Sequence, residues 1–410
     1  MSRPFVLGVN YWPRRKAMYW WSDFDVAEVR DEFALIADIG MNVVRLFLLW
    51  DDWQPSPDVV SAACLKNLET VCDIAVENGL GLDVTFFTGH MSGPNWAPGW
   101  LLDEKASPPA RYFKQLVSGG EIVTGGYRNM FSDPVALAAS RLLLKTVVMA
   151  LKDHPGVWMW NLGNEPDLFA WPPDSDAGRA WVREMTDLIK SIDDQHPVTC
   201  GLHVASLHED NGLRVDQVFA ETDVAVMHGY PMYLPWSRHN LDPDLVPYTC
   251  ALVSALCGKP TLMEEWGGCT NTPGKPSEVW EWTAYGEPRT QFMASEEDLA
   301  AYVAAVLPKL VEVGATGAML WCFADYVEEL WGKPPCKESK HERFFGLVRP
   351  DGSLKPHAEA IRAFAKTKPV VHANPARQVV LDVSPNEFYT TPAAHTVRLY
   401  QQYLSQYEGD

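Results

Sequence analysis

The 410-residue sequence predicts an α/β protein, a (β/α)8 TIM barrel with long loops after its strands and a short C-terminal extension. Three observations carry that expectation. Eight short, apolar, β-rich runs recur at about 5–10, 42–49, 82–88, 157–162, 197–202, 223–228, 260–265 and 317–323, each ending in polar, glycine or aromatic residues. Helical patterns fall between consecutive runs, as parallel strands with right-handed crossovers require. The first run ends in Asn10-Tyr11-Trp12-Pro13, where an open doubly wound sheet would place a glycine-rich turn for a dinucleotide.

The helices have readable ends. Asp25 with Glu28 forms a capping-box-like pair, Val26, Val29, Phe33 and Ile36 share the face that follows, and Gly40 stops the helix. A second helix fits 62–78. Asp133-Pro134 supplies the cap and first position of a third, which stops at His154-Pro155-Gly156. Helices also fit 177–192, 243–257 and 355–366, and a short, weak pattern at 213–221 fills the fifth crossover. Ser295 followed by Glu296, Glu297 and Asp298 opens another, its acidic first turn suiting the helix dipole. One barrel takes roughly 250 residues and can exceed 400 with insertions. Residues 1–366 are therefore expected to form it. Residues 367–410, with Val379-Val380-Leu381-Asp382-Val383 and an amphipathic stretch near 393–405, are expected to pack on it as an extension.

Composition narrows the function classes. The chain is 47% hydrophobic and 21% charged, the balance of a globular protein. A net charge of -19 repels phosphate backbones and anionic lipid, so neither nucleic acid nor membrane is expected as a partner. The 17 tryptophans could stack on the apolar faces of sugar rings or simply fill the core. Cys64, Cys72, Cys200, Cys250, Cys257, Cys269, Cys322 and Cys336 lack metal or disulfide spacing and read as reduced core residues. Met1-Ser2-Arg3-Pro4 runs straight into Phe5-Val6-Leu7-Gly8-Val9 without the charged, apolar and cleavage segments of a secretion signal. A cytoplasmic protein is expected, or a secreted one whose signal has been removed.

Barrel chemistry sits at the C-terminal strand ends. Here these offer Asn10-Tyr11-Trp12, Arg45, His90, Asn164-Glu165, His203, His228-Gly229-Tyr230, Glu264-Glu265-Trp266 and Trp321. Two carboxylates on different walls, with aromatics and polar donors, are what acetal hydrolysis needs. Glu165 ends an apolar run as part of Asn164-Glu165-Pro166, more than a helix cap requires. In Glu264-Glu265, neighbouring side chains point to opposite faces, so only one can serve the site, and spacing does not choose between them. Arg45 is a charge within the apolar Val43-Val44-Arg45-Leu46-Phe47 and must be paired.

Asn164-Glu165-Pro166 at the fourth strand and Glu265-Trp266-Gly267 at the seventh resemble glycoside hydrolase clan A, and within it family 5, over roughly residues 5–365. The resemblance implies Glu165 as general acid/base and Glu265 as nucleophile, with Glu264 structural. It implies Arg45 beside the nucleophile, His90 and Asn164 on the sugar, His228 with Tyr230 as the strand-six pair, and Trp321 as a sugar platform. Trp12 and Trp96 are added as loop aromatics that could line subsites. Carboxyl groups about 5–5.5 Å apart would leave no room for a water, so configuration would be retained. Burial near Trp160 and the charge of Glu265 should raise the pKa of Glu165.

The long loop 268–294, the segment after Phe169 and the segment 324–345 are expected to wall a pocket, which favours exo action. Metal, phosphate and nucleophile-elbow motifs are absent, so no cofactor is expected. The partner is then a carbohydrate. Mannosides are the first guess by analogy within the family and glucosides the second. A transglycosylase uses the same residues, and a non-catalytic sugar-binding barrel would need to lose one of two carboxylates that are both present.

Overall fold

The computed structural model describes residues 3–103, 105–106 and 115–407; Met1 and Ser2, part of the terminal reading above, lie outside the described residues. Eight parallel strands form the barrel: β1 (Val6–Asn10), β2 (Val43–Leu49), β3 (Gly81–Thr88), β4 (Val157–Asn164), β5 (Val198–Gly201), β6 (Ala225–His228), β7 (Thr261–Gly267) and β8 (Gly317–Trp321). Their hydrogen-bonded order is β5-β4-β3-β2-β1-β8-β7-β6. A parallel bridge between His203 and His228, with Asp223 N donating to Val198 O at 2.9 Å, joins β5 to β6 and closes the ring.

The crossover helices are α1 (Val26–Ile39), α2 (Ala62–Glu77), α3 (Pro134–Leu151), α4 (Ser175–Lys190), α5 (Val215–Val218), α6 (Leu245–Cys257), α7 (Glu296–Glu312) and α8 (Pro356–Ala365). Asp25, Ser61, Asp133, Asp174 and Ser295 cap their helices through side-chain oxygens, each relieving a backbone N–H the helix cannot satisfy itself. Gly40 ends α1 at φ 96°, a left-handed conformation that glycine adopts without a Cβ penalty. The capping box is a correction. Glu28 turns away from Asp25 and accepts from Arg15 N at 3.0 Å, tying α1 to the loop after β1.

Most barrel side chains are apolar, but the interior carries a polar layer of Asn10, Arg45, Asp83, Thr85, Asn161 and Glu264, all fully buried. Gly201 ends β5 where a Cβ would stand 2.7 Å from Arg45 Nη2 and 2.9 Å from Glu264 Oε2, so only glycine leaves that layer room.

After α8, Val370–Val371 pairs antiparallel with Arg3–Pro4, and a final helix, α9 (Pro392–Gln406), lies against α6. Tyr389 donates to Ser206 O at 2.9 Å, Tyr400 to Asp242 Oδ2 at 2.6 Å and Thr396 to Leu207 O at 2.7 Å. Buried hydroxyls thus fix the tail to the loops beside β5 and β6. The described cysteines are all free, seven buried and Cys257 half-buried.

Candidate active site

Glu165 follows β4 at φ 48° and ψ 51°, a left-handed conformation that a non-glycine residue holds only when its surroundings over-determine it. Its N–H donates to Gly201 O at 2.8 Å, and Pro166 starts the one-turn helix Pro166–Phe169. Asn164 is fixed from both sides: its Oδ1 accepts from Arg45 Nη2 at 2.9 Å and its Nδ2 donates to His90 O at 2.9 Å.

Glu265 accepts from Arg45 Nη1 at 3.1 Å on one oxygen and from the Tyr230 hydroxyl at 2.6 Å on the other. The alternation along β7 resolves the glutamate pair. Glu264 turns into the polar layer, where Asn161 Nδ2 donates to it at 3.0 Å, His228 Nε2 lies 2.9 Å away and Arg45 Nη2 3.5 Å. His228 spans the three carboxylates: its Nδ1 is 3.0 Å from Glu165 Oε1 and 3.6 Å from Glu265 Oε2. One oxygen of Glu165 and one of Glu265 lie within 4.8 Å of each other.

The charge states follow from this packing. Burial first, then the charge of Glu265, push Glu165 up to about 7. Burial opposes a charged His228, but Glu265, Glu165 and Glu264 outweigh it and raise the imidazole to about 10. Burial would also raise Glu264, yet Arg45 and His228 bring it below its ordinary value, while burial and the charge of Glu264 hold Asp83 well above its own. Near neutral pH the cations Arg45 and His228 therefore balance the anions Glu264 and Glu265, and Glu165 holds its proton up to about pH 7. The expected contribution of Trp160 is corrected. Its indole points away from the site and donates to Asp193 at 2.8 Å, so it does not shield Glu165.

Glu165, His228 and Glu265 would be the residues to hold a metal ion, their donor atoms lying within 4.8 Å of one another. An imidazolium cannot ligate a cation, and both nitrogens of His228 already face carboxylates, so the set fits a metal poorly.

A cavity of about 390 Å³ opens over this floor. Of the ten residues expected to form the site, His90, Asn164, Glu165, Tyr230, Glu265 and Trp321 line it. Arg45 and His228 lie directly beneath, fully buried, where they act through the carboxylates. Trp12 and Trp96 are corrections. Trp12 stacks on Phe47 at 5.1 Å and Trp96 donates to Met91 O at 3.2 Å; both are fully buried and neither borders the cavity. His90 is bonded to Asn95 and lowered by burial to about 4, so it meets the cavity as a neutral ring.

Several lining residues were not singled out from the sequence or were given little weight. His203, held neutral by burial, lines the cavity while its Nδ1 caps a 3-10 turn by accepting from Ala205 N. The loop after β7 is a hairpin, Glu278–Ala284 with Glu287–Met293, that brings Trp282 and Arg289 to the rim. It is tied to the loop after β8 by Trp282 Nε1 donating to Glu338 O at 2.7 Å. That second loop adds His341, Glu342 and Phe345, and Tyr233 completes the wall. The segment 324–345 is among those expected to wall a pocket, and Glu342 lies in it, but nothing in the sequence singles out that residue.

The sequence model of "Glycosyl hydrolases family 2, TIM barrel domain" matches residues 115–368. Among curated relatives, "Mannan endo-1,4-beta-mannosidase 4" of Oryza sativa subsp. japonica is 29% identical over 263 residues, 56% of this chain and 53% of the relative. "Mannan endo-1,4-beta-mannosidase A" of Hypocrea jecorina is 24% identical, over 62% of this chain and 60% of its own length. The chain thus spans about half to three-fifths of these relatives. Among solved structures, the exo-beta-1,4-mannosidase Op5Man5 from Opitutaceae bacterium strain TAV5 superposes with a TM-score of 0.70 at 25% identity, over 90% of this chain and 60% of that one. A GH5_18 protein from Streptomyces cattleya, in complex with Manb1-4GlcNAc, has a TM-score of 0.79 at 20% identity over 99% and 92%, a likeness of fold. In sequence and fold the chain is thus similar to family 5-like glycoside hydrolases of clan A.

Proposed function

Since the chain belongs to the family of glycosyl hydrolases family 2, TIM barrel domain, we propose that it is a retaining β-glycosidase acting on β-mannosides, with Glu165 as acid/base and Glu265 as nucleophile. The observation that carries this reading is the carboxyl pair. One member keeps its proton to about 7, the other is ion-paired with Arg45, and their oxygens lie within 4.8 Å. Oxygens that close favour the roughly 5–5.5 Å carboxyl separation of retaining enzymes over the 6.5–9.5 Å that leaves room for water in inverting ones.

In the first step a Glu265 oxygen attacks the anomeric carbon as the bond to the leaving oxygen breaks, and Glu165 gives that oxygen its proton. Arg45 and Tyr230 hold the Glu265 carboxylate in place, and His228 holds Glu165 through its Oε1. In the second step Glu165, now a carboxylate, takes a proton from water as the water oxygen displaces Glu265 from the anomeric carbon. Two inversions restore the β configuration.

Mannose is favoured by the curated relatives, which are named mannan endo-β-mannosidases, and by the exo-β-mannosidase among the similar structures. Exo action is favoured by the cavity: about 390 Å³ is near the low end of small-ligand sites, and the hairpin and the loop after β8 wall it. A carbohydrate is the expected partner.

Release of nitrophenol from aryl β-mannoside, glucoside, galactoside, xyloside and cellobioside tests the reading, with Glu265→Ala as control. Turnover of the mannoside that Glu265→Ala abolishes is expected. Turnover that survives in Glu265→Ala contradicts the nucleophile. No turnover on these glycosides or on mannan favours a sugar-binding barrel.

A further inference from the structure

Besides Glu165 and Glu265 the cavity is lined by half-buried Glu338 and buried Glu342, and the two-carboxyl mechanism leaves Glu342 without a role. It sits on the 3-10 turn Lys340–Phe344, its side chain 9% exposed, beside Trp321 and Ser92. The loop that carries it is anchored from below. Lys355, buried, donates to Asp325 Oδ1 at 2.8 Å, to Thr270 Oγ1 at 2.8 Å and to Phe344 O at 3.2 Å.

Among the described residues the one ion-pair contact of Glu342 is with His341, whose Nε2 lies 3.4 Å away. Burial and the charge of Arg289 lower that imidazole to about 4, so it brings no positive charge. A buried carboxyl without a cation is costly unless hydrogen bonds replace its water. It faces a cavity over the reacting carboxylates, where sugar hydroxyls would stand.

We propose that Glu342 is a specificity-determining residue of the site, its carboxyl hydrogen-bonding hydroxyls of the sugar unit held over Glu165 and Glu265. Burial and the charges of Glu265 and Glu165 push it up to about 8, against Ser92 and Trp321, so it presents one donor and one acceptor. A hydroxyl offers the same combination, and its orientation, axial or equatorial, decides whether it can meet a carboxyl anchored in this way. A site built to bond a hydroxyl rejects the epimer that leaves its polar group unpaired. This inference rests on the glycosidase reading above.

The test compares kcat/KM for aryl β-mannoside and aryl β-glucoside in wild type, Glu342→Leu and Glu342→Gln. Leucine keeps the volume and removes both hydrogen bonds; glutamine keeps a donor and an acceptor. Glu342→Leu is expected to lower kcat/KM on the preferred sugar about 10- to 100-fold and to narrow the ratio between the two sugars, with Glu342→Gln restoring most of both. Should Glu342→Leu fail to fold, Glu342→Asp, which withdraws the carboxyl by one methylene, reads the same ratio. A sugar ratio unchanged in a folded Leu or Asp variant overturns the proposal while the glycosidase reading stands. Wild type inactive on every glycoside removes both.

Discussion

The floor and the wall of the cavity are built differently. On the floor, Arg45, His228, Glu264 and Glu265 form one hydrogen-bonded network in which Arg45 alone reaches Thr85, Asn10, Glu265 and Asn164. On the wall, Trp282 is held by one bond to Glu338 O, and Glu342 meets Ser92, Trp321 and a neutral histidine but no cation among the described residues. The floor is made from strand residues whose positions the barrel sets, the wall from loops that follow β7 and β8. A network so constrained suits chemistry that tolerates little displacement, and a sparsely bonded wall leaves its polar groups for a ligand. Floor substitutions should therefore cost turnover, and stability too where a buried charge loses its partner, and wall substitutions selectivity.

The largest effect is expected for Glu265→Ala. Without a nucleophile kcat on aryl glycosides should fall by about 10⁴-fold or more, measured with saturating substrate. Melting should change little beside that loss. Next is Arg45→Met, which leaves Glu264 and Glu265 buried with His228 as their one remaining cation. Urea denaturation should show a loss of about 3–5 kcal/mol. A loss below about 1 kcal/mol would mean that the floor is no more constrained than the wall.

The strand alternation, the helix caps and the two carboxylate motifs were all legible in the sequence, because each depends on neighbours within a few positions. Asp133 and Ser295 cap helices for reasons their own segments contain. Trp12 and Trp96 were misplaced because an aromatic in a loop does not reveal which way it turns. Both turn inward to pack, on Phe47 and against the Met91 carbonyl. The capping box failed since Glu28 found a tertiary partner in Arg15. Glu342 stands over a site whose glutamates are distant in sequence, and only the fold-back of the loop after β8 makes it part of that site.

Tyr230→Phe removes one bond to the nucleophile and keeps the ring. A fall in kcat of about 10- to 100-fold is expected with KM nearly constant. The pH profile sharpens the charge balance on the floor. Glu165 must carry its proton to act as acid and is pushed up to about 7, so kcat/KM should fall as pH rises through that value, about tenfold per unit beyond it. A profile flat to pH 9 would contradict the assignment of Glu165. The smallest effect is expected for Trp282→Ala on the wall: KM raised roughly 3- to 10-fold on aryl mannoside, kcat within about twofold and melting nearly unchanged.

The covalent intermediate is the point at which the floor either does this chemistry or does not. A 2-deoxy-2-fluoro-β-mannosyl substrate with a good leaving group slows breakdown of a glycosyl-enzyme, and mass spectrometry of the digested protein then locates the sugar. A mass increase of one fluoro-sugar on the peptide containing Glu265, absent from Glu265→Ala, is the expected result. Aryl-mannoside turnover with no adduct, or with the adduct on another residue, would contradict it.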